Sequence, residues 1–260
     1  MKLELEGKLA LVTGASRGIG FACVEALLAE GARVAMVSRD PARLEAAAAG
    51  LGGGDAVLYA AADTSDPASA RRGYDSIVAR AGVPDVLICS AGAAAFHDPL
   101  TIASDDWRKA WDAKFLAVMT MIDCAKPDMI ARGSGVIVPI IGTGGKVAQT
   151  AHLCGGAANA ALMLATVGLG VALAPKGVRV VGLNPAATAT DRAVSARQDY
   201  ARILGVTVDE LTRQYARTFP MGRSASPREI AEVAIFLASA RAAYLAGTIV
   251  NVDGGQTPAL

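Results

Sequence analysis

Seven short runs built mainly from valine, isoleucine, leucine and alanine recur along the chain: "KLALVTG", "RVAMVSR", "AVLYAAAD", "PDVLICSAG", "GVIVPIIG", "VRVVGLNP" and "GTIVNVDGG". Apolar residues fall on both faces of these runs, as they do in strands buried inside a parallel sheet. Between them the apolar spacing lengthens to that of helices, predicted at 18–30, 41–51, 67–81, 105–131, 152–174 and 227–238. Strand and helix alternating this often predict one α/β domain over 1–260, a doubly wound parallel seven-stranded sheet with helices on both faces and right-handed crossovers. The stretch from Asp191 to Arg223 breaks the rhythm, being polar and helical with no strand, and is predicted to form a helical flap.

Charge removes whole classes of partner. Lys and Arg total 25 against 24 Asp and Glu, a net charge of +1, so no general field draws the chain to nucleic acid or an anionic membrane surface. The segment from Val147 to Pro175 carries no charged residue, and its length alone would span a bilayer. Five interruptions, Gly155, Gly156, Asn159, Gly168 and Gly170, with charged elements on either side, favour a small-residue helix buried against protein. Four scattered cysteines and only two histidines predict reduced thiols, a cytoplasmic protein and no metal site. The N-terminal charges at Lys2, Glu4, Glu6 and Lys8 do not read as a secretion signal.

The densest chemical signal is "TGASRGIG", which ends the first strand and opens the first helix. Gly14, Gly18 and Gly20 lack the side chains that would keep a pyrophosphate from the backbone, and the free N–H groups of the helix start bind anions. Ser16, Arg17 and Ile19 share this turn and are assigned to the same cofactor site.

Together with "CSAG" at 89–92, "NPAATAT" at 184–190 and "YLAGTIVNVDGG" at 244–255, this turn resembles the short-chain dehydrogenase/reductase family over nearly the whole chain. The resemblance implies a Rossmann-type fold, a nicotinamide cofactor and a small-molecule substrate. In doubly wound folds an acidic residue ending the second strand binds the ribose hydroxyls, and a basic one accepts a 2′-phosphate. Here Ser38 and Arg39 occupy that place with Arg17 nearby, so NADP(H) is favoured over NAD(H); the competing possibility is that Asp40 binds the ribose. By the same resemblance Asp63 and Thr64 hold adenine, Ala91 and Gly92 lie behind the cofactor, and Pro185, Thr188 and Thr190 fix the nicotinamide carboxamide. The family also pairs its 105–131 and 152–174 helices across subunits, which implies a homotetramer or homodimer.

The catalytic positions depart from the family's Asn-Ser-Tyr-Lys pattern. Placed through its own motifs, the chain has Lys114 for the asparagine, Gly142 for the serine, His152 for the tyrosine and Gly156 for the lysine. An imidazole of ordinary pKa about 6.5 suits general acid catalysis near neutrality without the helping cation a phenol needs. Lys114 is expected to reach into the room vacated at Gly156, which predicts that Lys114→Met costs both NADPH affinity and turnover. Thr143 offers the nearest hydroxyl to replace the serine, and His97 is expected in the substrate loop. Cys154 falls on another helix face from His152, against a Cys–His nucleophile. The reading is an NADP(H)-dependent oxidoreductase of a carbonyl or secondary alcohol; the alternative is a noncatalytic NADP(H)-binding or assembly protein of the same fold.

Overall fold

The computed structural model describes residues 2–92 and 94–257. All seven apolar runs form strands: β1 (Leu9–Thr13), β2 (Arg33–Ser38), β3 (Val57–Ala61), β4 (Val86–Cys89), β5 (Gly135–Pro139), β6 (Val178–Pro185) and β7 (Thr248–Val252). They pair in parallel in the order β3-β2-β1-β4-β5-β6-β7. The order reverses direction between β1 and β4, and at such a switch point the strand ends splay into a crevice that can take a ligand.

Among the described residues nine α-helices cover the sheet: α1 (Gly18–Ala29), α2 (Pro41–Gly50), α3 (Pro67–Ala81), α4 (Ser104–Trp111), α5 (Ala117–Arg132), α6 (Leu153–Leu173), α7 (Asp191–Leu204), α8 (Val208–Ala216) and α9 (Pro227–Ala238). One core joins the sheet to α1, α2 and α9 through Val24, Leu27, Leu44, Ile230 and Ala234. A second joins its other face to α3, α5 and α6 through Ile77, Met121, Ile122 and Leu162. Five of the nine helices repeat one device at their start: Asp40, Asp66, Thr190, Thr207 and Ser226 accept backbone N–H groups of the first turn of α2, α3, α7, α8 and α9.

Two expectations change. The helix expected over 105–131 is not continuous: a π-helical segment, Asp112–Leu116, separates α4 from α5. Such an insertion rotates the chain locally and turns Lys114 toward the strand ends, where π-bulges often serve a site. The apolar stretch Thr150–Lys176 is long enough to cross a membrane, yet it lies against the sheet as α6, its Thr166 methyl facing Gly182 of β6. The flap expected at 191–223 consists of α7 and α8.

Candidate functional site

A cleft of about 760 Å³ opens at the carboxyl ends of the strands, between the glycine turn, the β4 and β5 ends, the start of α6 and the flap. Its floor depends on absent side chains. Gly14 has φ +65°, and a Cβ there would come 2.8 Å from Ala91 N and Ser90 O. Gly18 also has positive φ, +60°. Thr13 Oγ1 accepts the Ala91 N–H at 3.1 Å and ties the β1 end to the β4 end. Gly20 does not line the cleft; it lies behind it, where a Cβ would overlap the Gly14 carbonyl. Helix α1 begins without any side-chain cap, so its first N–H groups stay free for an anion beside Ser16, Arg17 and Ile19.

At one end of the cleft Ser38 is only 8% exposed and its Oγ has no hydrogen-bond partner. Arg17, Arg39 and Arg43 line the same end. Asp40 is committed elsewhere: it caps α2 by accepting the Arg43 N–H at 3.1 Å and pairs with the Arg43 guanidinium at 3.7 Å. Asp63 accepts the Ser65 N–H at 2.9 Å and the Ser65 O–H at 2.7 Å. Burial pushes its carboxyl pKa up, but these bonds and the Arg39 charge outweigh that and leave it below its usual value. Thr64, beside it, is buried. A polar floor ringed by guanidiniums, with one unsatisfied hydroxyl, is able to receive a phosphate.

The opposite end holds the groups able to do chemistry. Lys114 donates from Nζ to the Ile141 carbonyl at 3.1 Å. Gly92, at φ +133°, makes this possible, because a Cβ there would come 2.8 Å from Ala113 O and 3.3 Å from Lys114 Cδ. The lysine keeps some exposed surface, but its ammonium is enclosed; burial, then the charge of Arg192, lower its pKa to about 8. His152 ends a 3₁₀ turn, Thr150–His152, that leads into α6. Its ring folds back over Gly155, where any Cβ would collide with it, and lies 5.0 Å from the Phe96 ring. Burial, then the charges of Lys114, Arg192 and His97, lower its pKa to about 4, and Nδ1 has no partner. This corrects the expectation of an imidazole titrating near neutrality: at pH 7 His152 is neutral. Thr143, in the 3₁₀ turn Thr143–Gly145, is buried at the cleft wall.

Two further placements are corrected. The room expected at Gly156 is already filled, since a Cβ there would lie 2.7 Å from the Gly144 carbonyl oxygen; Lys114 instead ends on Ile141. His97 does not line the cleft: its ring faces Asp106 of α4 at 3.8 Å and its N–H bonds the Ala151 carbonyl. The remaining assigned residues, Ala91, Gly92, Pro185, Thr188 and Thr190, all reach the cleft. There Thr188 Oγ1 donates to the Ala186 carbonyl, and Thr190 caps α7.

Three further lining residues bear on the site, Arg192 of the predicted flap among them. Arg43 lies in the first turn of α2, four residues after Arg39, a proximity that could have been noticed. Arg192 keeps much of its surface exposed, but its guanidinium reaches from α7 across the cleft to the Gly92 carbonyl at 2.8 Å and the Ala94 carbonyl at 3.4 Å. Asn159 lies on the face of α6 that also carries His152 and Gly156. The flap closes on an aromatic row, with Phe96 stacked on Tyr200 at 5.4 Å and Tyr200 meeting Tyr215 edge-on at 6.1 Å.

Comparison with known proteins agrees with this architecture. The family model described as "Enoyl-(Acyl carrier protein) reductase" matches residues 14–257. The chain is 33% identical to galactitol 2-dehydrogenase (L-tagatose-forming) of Cereibacter sphaeroides, covering 98% of this chain and 96% of the relative. L-sorbose reductase from Gluconobacter frateurii, solved with NADPH and L-sorbose, superposes with a TM-score of 0.91 at 28% identity, over 100% of both chains. An NADPH-bound short-chain oxidoreductase from Pseudomonas aeruginosa PAO1, described as containing an atypical catalytic center, superposes with a TM-score of 0.87 at 28% identity, over 97% of this chain and 98% of its own.

Proposed function

The chain belongs to the short-chain dehydrogenase/reductase family, and we propose on that premise that it is an NADP(H)-dependent oxidoreductase of a carbonyl or secondary alcohol, working through an altered catalytic site. One observation carries the reading: Ser38, Arg39, Arg17, Lys114, Thr143 and His152, scattered over most of the chain, line a single cleft. The sugar and polyol chemistry of the galactitol and sorbose relatives, and the NADPH in two of the superposed structures, support the substrate type and the coenzyme.

The fit for NADP(H) rests on the unpaired Ser38 Oγ, the guanidiniums beside it and the uncapped start of α1. Asp40 also lines this end, but its carboxylate caps α2 and pairs with the Arg43 guanidinium, which offsets its repulsion of a 2′-phosphate. Bound there, the nicotinamide supplies or accepts hydride, the step no protein side chain can perform.

The protein handles the proton. Because Lys114 has its pKa lowered to about 8, its ammonium gives up a proton to a nascent alkoxide more readily than an ordinary lysine, and near neutral pH it is still charged. Neutral His152 acts as a hydrogen-bonding group that orients the carbonyl, a role that needs no imidazolium. Thr143 contributes its hydroxyl from the β5 side. Thus the roles expected from sequence exchange: the lysine carries the proton, and the histidine positions. The strongly exposed Leu164 (78%) and Val171 (68%) of α6 suit the homodimer or homotetramer that the family likeness implies.

Loss of NADPH absorbance with a panel of ketones and ketoses tests the reading. Oxidation of NADPH by at least one of them is the expected outcome; tight NADPH binding with no turnover on any ketone, and no NADP⁺ reduction by the matching alcohols, favours a noncatalytic binding protein.

A further inference from the structure

We infer that Asn159 binds a ligand hydroxyl at the reactive end of the cleft, its amide oxygen accepting the hydroxyl proton. The inference rests on the oxidoreductase reading above and names a residue and a chemistry that reading does not use. Asn159 is 3% exposed, and its Oδ1 makes no hydrogen bond although it is buried. Native interiors rarely leave such an atom unpaired, and an apolar side chain of the same size would fill the space without that penalty. The atom therefore waits for a donor.

The surroundings tell which donor. Asn159 follows His152 by seven residues and Gly156 by three, so the three share the face of α6 turned to the cleft, which Asn159 lines. The loop above it has glycine on either side of Thr143: a side chain begun at Gly142 would start 3.2 Å from Asn159 Nδ2, and one begun at Gly144 would start 3.7 Å away. Asn184 is not the missing donor, because its amide nitrogen donates to Met163 Sδ and its oxygen accepts the Gly142 N–H. The amide is uncharged, so its oxygen suits a neutral donor. An amide also offers an N–H to the lone pair of whatever donates to its oxygen, and a hydroxyl supplies both the donor and the lone pair from one atom. That hydroxyl comes either from a substrate carrying one beside its carbonyl or from the ribose next to the nicotinamide.

The full-length protein distinguishes the two. NADPH affinity by calorimetry, and kcat/KM for acetoin and for its deoxy analogue 2-butanone, are measured on the wild type, Asn159→Leu and Asn159→Asp. If the substrate supplies the hydroxyl, the wild type prefers acetoin by about tenfold or more, Asn159→Leu brings the two ketones toward parity, and Asn159→Asp, which keeps the acceptor, restores part of the preference. If the ribose supplies it, Asn159→Leu weakens NADPH by about tenfold or more and lowers both ketones together. Unchanged NADPH affinity combined with an unchanged acetoin-to-butanone ratio overturns the inference, as do equal losses on both ketones at unchanged NADPH affinity. Should the wild type reduce neither ketone, the oxidoreductase reading is what suffers, and the NADPH affinity of Asn159→Leu alone then decides: weakened supports the ribose donor, unchanged overturns. If Asn159→Leu does not fold, Asn159→Ser replaces it in every arm.

Discussion

The glycine turn and the start of α6 face each other across one cleft, and they use glycine in opposite ways. At Gly14 and Gly20 the missing side chain lets backbone approach backbone on the floor where a diphosphate would rest. At Gly142, Gly144 and Gly156 it lets a loop settle onto a helix, so that the Gly144 carbonyl fills the space a longer side chain would use. On the reading proposed above, the first end keeps the pattern of its family and the second has been repacked. A binding surface could then persist while the chemistry beside it is redistributed, because the two rest on different backbone contacts.

The sharpest way to break this contrast is Lys114→Met. Removing the proposed proton carrier should lower kcat by about 10²-fold or more with NADPH affinity altered little, since Lys114 ends on Ile141 and not over Gly156; stopped-flow turnover beside calorimetry reads both. In the wild type, ketone reduction should hold steady below pH 8 and decline above it as the ammonium empties, with alcohol oxidation rising through the same range. Bound NADPH, being anionic, should move that transition upward.

Ser38→Asp comes next. A carboxylate put beside the place proposed for the 2′-phosphate should weaken NADPH by about 10²-fold while leaving NADH much less affected, and comparing the two coenzymes by calorimetry separates this from general damage. Gly156→Lys tests the repacked end. Introducing the lysine that the family resemblance implies there should not fit the present geometry; its Cβ meets the Gly144 carbonyl, and overpacking of that kind costs about 1–3 kcal/mol, seen as a fall in Tm.

The last expectation is a slope. His152 has its pKa lowered to about 4 in the folded chain against about 6.5 unfolded, so the unfolded state binds more protons between those values. Stability should rise with pH from about 4 to about 6.5 and level off above. Denaturant midpoints across this window should flatten in His152→Gln; an unchanged slope would remove His152 as its source.

Much of this molecule was legible beforehand, for a physical reason. Strands buried on both faces need continuous apolar runs, and each of the seven runs became a strand. Ser38, Asp63 and Thr188 follow strand ends, so locating the strands located them. The interrupted helix was hidden because "WDAKFLAV" reads equally well as α or π; the difference arises only where Gly92 admits the Lys114 segment. The pKa of His152 was hidden too, since it is lowered first by burial and then by Lys114, Arg192 and His97, which approach it from three separate stretches of chain. Gly156 was read as a vacancy because a sequence shows the side chain that is absent and not the carbonyl that takes its place. Asn159 looked like one polar interruption in an apolar helix, and only an unpaired oxygen in three dimensions sets it apart.

The reach of Arg192 from the flap to the Gly92 carbonyl has a kinetic consequence. If a coenzyme settles over Gly92, as proposed, it has to part that bond, and its arrival would then be gated by a first-order event in the protein. At rising coenzyme concentration the observed association rate should bend toward a plateau, and Arg192→Ala should straighten the plot into the line of a simple collision.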